Sequence, residues 1–166
     1  MSKAFTREDD DADIPRPAPV PLLPPGVKNF LTPEGRDRLQ AELNRWHAER
    51  AVLAESALTD RELRAELAQL DQRINQRQLS LASAEVVPVP MPPHDFVRFG
   101  STVTVRDTRG AEDAYRIVGA EEADFSRHEI SWQSPLAAAL LKTRVGQAIS
   151  FRSPAGVTKL EIIAIG

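Results

Sequence analysis

Residues 57–66 read ALTDRELRAE, and they sit inside a stretch from Thr32 to Val86 whose only proline and glycine, Pro33 and Gly35, lie at its start. Whether the chain runs straight through this point or turns back decides the fold. The apolar positions answer the question. Before the stretch they are Leu39, Leu43, Trp46, Leu53 and Ala57, with Arg50 in the same register; after it they are Leu63, Leu67, Leu70, Ile74 and Leu81, with Arg77. Both series follow helical spacing. Taken from the outside inwards, 39 with 81, 43 with 77, 46 with 74, 50 with 70, 53 with 67 and 57 with 63, each pair is symmetric about residue 60. An antiparallel hairpin requires this mirror, because each seam residue must meet one equally far from the tip. Arg50 and Arg77 would each face a leucine, so both are expected to snorkel. Thr59-Asp60-Arg61-Glu62 has the form of a capping box, which restarts a helix at Thr59. At about 1.5 Å per residue, an arm of roughly 25 residues projects about 37 Å.

Composition narrows the class of protein. The chain has 166 residues, 27% of them charged, with a formal net charge of −3. That length suits one ordinary domain, or a small domain with an extended element. The charge excludes a polybasic nucleic-acid binder. Cysteine is absent, which removes disulfides, thiolate metal sites and cysteine nucleophiles and fits a reducing compartment. Neither a signal-peptide core nor a run of about 18 apolar residues occurs, so a soluble, cytoplasmic protein with no membrane partner is expected.

Outward from the hairpin the organisation is as follows. Residues 1–29 form an acidic and then proline-rich tail (EDDDAD, IPRPAPVPLLPPG), expected to be disordered. Residues 30–87 form the coiled-coil hairpin, opened by Thr32-Pro33-Glu34 as cap, first-turn proline and early acid. Its tip lies near 57–62. Residues 88–95 are a proline-rich linker. From 96 to 166 the stretches FVRFGSTVTVRD, AYRIVG, EISWQS, QAISF and TKLEIIAI are rich in β-branched and aromatic residues. Between the third and fourth, SPLAAALLKTRVG reads as a short helix with Ser134 as cap, Pro135 at its first position and Gly146 beyond its end. The fold class is α+β: a helical hairpin followed by a small twisted antiparallel sheet with one helix.

Enzymatic chemistry finds little support in the residues. His47, His94 and His128 lack ligand spacing, so no intrinsic metal is expected. Ser134, His128 and Asp124 are the residue types of a triad, but Ser134 is better explained as a cap and no nucleophile elbow surrounds it. Trp46 sits on the seam as a packing residue. The glycines fall at strand ends and form no phosphate loop.

The motifs MSKAFTRE, NFLTPEGRDRLQAEL, VRFGSTVTVRD, YRIVGAEEAD, ISWQSPLAAALL, RVGQAISF and PAGVTKLEIIAI resemble the Gre family of bacterial transcription elongation factors, and its GreB-like branch in particular. The resemblance covers nearly the whole chain. It implies an FKBP-like C-terminal domain that docks on the rim of the RNA polymerase secondary channel, and a finger that enters the channel. In the family, tip acids spaced D-x-x-E help the polymerase hold a second Mg2+ and cleave backtracked RNA. On that resemblance Asp60 is the tip aspartate, Ser134 and Pro135 form the docking loop, and Gln133 stands where GreB-like members often carry an aspartate. Two departures matter. Each arm is shorter than the usual Gre arm by about one heptad, withdrawing the tip by roughly 10 Å, a gap that a metal–oxygen bond of about 2.1 Å does not span. Leu63 occupies the family's glutamate position, and the nearest acid, Glu62, is only two residues from Asp60. Residues two apart on a helix do not face each other, so Asp60 and Glu62 share an ion only if Asp60 lies in non-helical backbone.

These readings lead to a monomeric, cytoplasmic RNA polymerase-binding regulator, not an enzyme by itself, that touches backtracked RNA and DNA only through the polymerase. Its expected action is occupancy of the channel in competition with transcript cleavage. The alternatives are a full cleavage stimulator using Asp60 and Glu62, an FKBP-like protein-binding or chaperone module, and a coiled-coil adaptor that dimerises through the finger. The short supply of aromatics speaks against the second.

Overall fold

The computed structural model describes residues 27–57, 60–89, 91, 93–153 and 156–166. Residues 1–26 of the expected tail, Leu58 and Thr59 lie outside them, whereas Asn29, expected to belong to that disordered tail, is buried with its side-chain amide donating to the Ser80 carbonyl at 2.9 Å and its backbone carbonyl accepting the Glu85 amide. Helix α1 (Pro33–Ser56) and helix α2 (Arg61–Ser83) form an antiparallel pair, framed by two short strands, β1 (Phe30–Leu31) and β2 (Glu85–Val86). Thr32 caps α1 in extended backbone, its hydroxyl accepting the Gly35 amide, with proline in the first turn and Glu34 against the helix dipole. The mirror seam is real. Leu43, Leu70 and Ile74 are buried together, and Trp46, Leu53 and Leu81 pack on them.

Three details differ from the sequence expectations. Arg50 and Arg77 find carboxylates in place of bare leucine neighbours: Arg50 pairs with Asp71, and Arg77 with Glu42. A guanidinium at the seam edge reaches an acid on the opposite arm more favourably than it reaches water alone. Both Arg73 and Arg77 also stand over the Trp46 ring, at 4.5 and 5.3 Å from its centroid. Second, α2 stops at Ser83, short of Val86, because Glu85 and Val86 turn extended and pair in parallel with Phe30 and Leu31. Third, α2 is capped by Asp60, one residue later than the capping box placed it. Thr59 lies outside the described residues; the short Asp60 carboxylate, in extended backbone, accepts the Glu62 and Leu63 amides.

The C-terminal sheet has strands β3 (Thr102–Asp107), β4 (Glu112–Val118), β5 (Glu129–Ser131), β6 (Ala148–Ser153) and β7 (Gly156–Ile165), in the order β5-β4-β3-β7-β6. It is antiparallel except at one place: β4 and β5 run parallel. A parallel pair cannot be joined by a tight hairpin. The connection 119–128 therefore crosses over, through a 3-10 turn at Phe125–Arg127, and this crossover lies against the base of the finger. One face of the sheet carries Val103, Val105, Ile117, Ile130, Leu160 and Ile162 into a core closed by Ala137 and Leu140 of helix α3 (Pro135–Leu140). The left-handed residue after α3 is Lys142 (φ 68), well before Gly146 (φ 84), and Lys142 and Thr143 exchange backbone bonds with Val97 that hold this turn.

The hairpin core is small, so it is sensitive to truncation. Leu70→Ala should destabilise the protein by about 2–4 kcal/mol, whereas Val52→Ala, on an exposed position, should change it by less than about 0.5 kcal/mol. Urea unfolding followed by far-UV circular dichroism reads both.

Candidate functional site: finger tip, docking loop and the junction between them

At the tip, Asp60 is exposed and has extended backbone (φ −115, ψ 126). The backbone condition for Asp60 and Glu62 to approach one ion is therefore met. The carboxylate, however, is engaged: Asp60 Oδ1 accepts the Glu62 amide at 2.8 Å and the Leu63 amide at 3.4 Å. Glu62 falls in the first turn of α2, where its charge also favours the helix. Among the described residues, no group of three His, Cys, Asp or Glu side chains stands close enough to hold a metal ion. Two tip carboxylates supply at most part of a magnesium shell, and the rest of the oxygens would have to come from outside the chain.

The loop between β5 and α3 lies at the base of the finger. Gln133 and Pro135 are exposed; the Ser134 hydroxyl accepts the Ala137 amide at 3.1 Å and caps α3. Ser131 holds the turn through its carbonyl, which accepts the Ser134 amide, and its hydroxyl, which accepts the Gln133 amide. Trp132, next in line, packs its ring on Phe30 at 5.2 Å, so the loop is tied to the entrance of α1. The triad types do not converge: Asp124 bonds to Ser126, His128 stacks near Tyr115, and Ser134 serves as the cap.

Between tip and loop lies a junction that sequence reasoning missed. Glu122 is 3% exposed, and its carboxylate accepts the Thr32 amide (2.9 Å), the Thr32 hydroxyl and the Gly119 amide (2.8 Å). Gly35 and Gly119 make room for it. A Cβ at Gly35 would stand 1.6 Å from Glu122 Oε1, and one at Gly119 would meet the Phe30 carbonyl at 2.2 Å. A glycine in a helix's first turn was the available signal. Around this plug, Arg38 of α1 bonds to the Glu122 carbonyl and to Glu129, and Arg116 and Arg127 pair with Glu34 and Glu129. Two surface hollows flank the junction, of about 530 and 610 Å3, lined mainly by arginines and carboxylates; neither offers the aromatic seat that a proline-peptide binder needs.

With this geometry in hand, similarity to known proteins can be placed on it. A family model described as transcription elongation factor, GreA/GreB, C-term, matches residues 92–166. A protein of Pseudomonas aeruginosa named transcription elongation factor GreB is 37% identical over 155 residues, spanning 86% of this chain and 88% of its own. The chain belongs to the GreA/GreB family. A GreA of Chloroflexus aggregans is 36% identical over 150 residues, covering 82% of this chain and 96% of its own. Among solved structures, the GreA factor homolog Gfh1 of Thermus thermophilus aligns at 25% identity and a TM-score of 0.41, over 84% of this chain and 99% of that one. The chain is thus a Gre-type elongation factor. No helix among its described residues is long and apolar enough to cross a membrane.

Two predictions arise at these sites. Asp60→Ala should destabilise α2 by about 1 kcal/mol while Asp60→Asn should be nearly neutral, since asparagine caps as well as aspartate; thermal unfolding separates them. At the finger base, the hydrogen bond from Arg116, and then its charge, hold the Glu34 carboxyl below the ordinary glutamate value. A depressed folded value contributes stability above the ordinary value of about 4.3, and that contribution is lost as pH falls through the folded value. Glu34→Gln should therefore flatten the acid limb of the stability profile below about pH 4, measured by urea titration against pH.

Proposed function

We propose that this GreA/GreB protein acts in the bacterial cytoplasm by docking on RNA polymerase at the rim of the secondary channel, through the Gln133-Ser134-Pro135 loop, and placing its hairpin inside the channel. It acts there mainly as an occupant that modulates elongation and competes with transcript cleavage, and it is not an enzyme by itself. The observation that carries the occupancy reading is Asp60 Oδ1 turned back onto the amides of Glu62 and Leu63, with no acid at residue 63. Arms of 24 and 23 residues, about 36 and 35 Å long, support it, since they leave the tip short of the usual Gre reach. The self-satisfied seam suits a monomer.

A second reading, stimulation of cleavage, is favoured by one feature, the extended backbone at Asp60. In that case Mg2+ held chiefly by the polymerase would supply the Lewis acidity, and Asp60 would add one oxygen. Nucleic acid would be met only through the polymerase.

Stalled, backtracked transcription complexes distinguish the two. Occupancy predicts little RNA shortening beyond that of polymerase alone, and inhibition of shortening driven by a cleavage-stimulating factor. That inhibition should persist in Asp60→Asn, which keeps the cap but removes the charge. Strong shortening that disappears in Asp60→Asn would overturn the occupancy reading. Substituting Pro135 and Gln133 together should weaken polymerase capture in a pull-down without unfolding the protein.

A further inference from the structure

Glu121 and Glu122 are consecutive, yet they reach different arms of the finger. Glu122 is buried against the start of α1, bonded to Thr32 and packed on Gly35. Glu121 pairs with Arg77 at 2.7 Å and accepts the Ser80 hydroxyl, both on α2. We propose that this pair is a positioning device: two carboxylates on one crossover, one per arm, that set the angle at which the finger leaves the globular domain.

A single point of attachment leaves a rod free to pivot, whereas attachment of both helices at separate points removes that freedom. The two carboxylates suit this task because their partners differ in kind. Glu122 meets the Thr32 amide at the positive end of α1, a backbone partner that side-chain motion cannot withdraw, and is held in place by the Gly119 amide of its own crossover. Glu121 holds a guanidinium only 17% exposed, which is itself fixed to α1 through Glu42 at 2.9 Å. Glu121 is thereby connected to both arms at once. The two glycines let the crossover approach closely enough for these bonds to form.

The consequence is amplified at the tip. For an arm of about 36 Å, a tilt of roughly 10° moves the tip by about 6 Å, more than a metal–oxygen or hydrogen bond tolerates. The Gln133-Ser134-Pro135 loop is tied through Trp132 and Phe30 to the start of α1, at the pivot itself, so a tilt displaces it far less than the tip. Losing the clamp should therefore weaken what the tip does while leaving attachment to the polymerase intact. Glu121 and Glu122 act through the helices and touch no reacting group.

The chain has no cysteine, so two can be introduced cleanly. Val52→Cys on α1 and Val157→Cys on β7, at positions 70% and 66% exposed, carry spin labels in the full chain. The parent protein should give one narrow distance distribution. Glu121→Ala and Glu122→Met should broaden or shift it by about 5 Å, while Glu122→Gln, which keeps an oxygen for the two amides, should restore most of the narrow form. Glu112→Ala, which removes a surface pair with Arg106, should leave it unchanged. Thermal unfolding confirms that each variant is folded; Glu121→Ala, at a part-exposed position, serves if Glu122→Met does not fold. An unchanged narrow distribution in folded Glu121→Ala overturns the proposal. A second arm rests on the docking reading above: polymerase capture should stay within about twofold while the tip effect falls about tenfold or more. Failure of the parent protein to bind polymerase would sink the docking reading and leave the distance result standing. Equal loss of capture and tip effect, with distances unchanged, would sink the clamp.

Discussion

A carboxylate buried at the first turn of a helix is the interaction on which the rest of this structure depends. Glu122 gives up nearly all its hydration, a step that is unfavourable by several kcal/mol for an ion left unpaired. Among the described residues no cation pairs with its carboxylate; Arg38 bonds to the Glu122 carbonyl instead. What compensates is a set of donors that were going to be orphaned anyway. The Thr32 amide opens α1 and has no partner within the helix, and the Gly119 amide ends β4. One carboxylate thus satisfies donors from both halves of the molecule, and the helix dipole favours its charge. The glycine at position 35, unfavourable in a helix by about 1 kcal/mol relative to alanine, is the local sacrifice that makes the approach sterically feasible.

The hairpin follows a different logic. Its apolar seam is narrow, with only Leu43, Leu70 and Ile74 buried in the cluster, and polar contacts extend it on both sides. Arg50 with Asp71, Trp46 with Arg73 and Arg77 with Glu42 each join residues equally far from residue 60 to within one position. The exposed Arg50–Asp71 pair contributes little to stability individually. The value of these contacts is in register: a slip of one residue would disturb all three at once. A short arm with few buried side chains gains its specificity this way.

The mirror order of Leu39 to Leu81 was legible in the sequence because it depends on periodicity, and the strands because they are local runs rich in β-branched and aromatic residues. The Thr32 and Ser134 caps were legible for a similar reason, each being satisfied within three residues. The cap at the tip was off by one, since Thr59 and Asp60 both have capping side chains and a linear reading does not rank two adjacent candidates. The β1–β2 pairing was invisible: two residues from each side of the finger carry no pattern. So was the parallel strand pair, because β5 has only three residues and its direction is set by the crossover before it. The junction was hidden for a deeper reason. Glu121 and Glu122 read as two more surface acids, and only the contact with residues about ninety and about forty positions away makes one a plug and the other a tether.

The docking loop and the finger are structurally one body through a short path. Trp132 precedes Gln133 by one residue, its amide bonds to the Val118 carbonyl at the end of β4, and its ring lies on Phe30. Phe30 also meets Phe99 at 5.7 Å and begins the strand that leads into Thr32. Aromatic contacts of this kind resist sliding because the rings interlock at a tilt, here 57° and 54°. The loop therefore cannot shift relative to the start of α1 without unpacking three rings, and α1 cannot swing without breaking the Glu122 bonds. The Gln133–Pro135 loop and the line of α1, about 36 Å long, are thereby fixed relative to each other. Stiffness at the junction, more than bulk in the finger, sets the line of α1, and the buried polar bonds of the described residues are concentrated there.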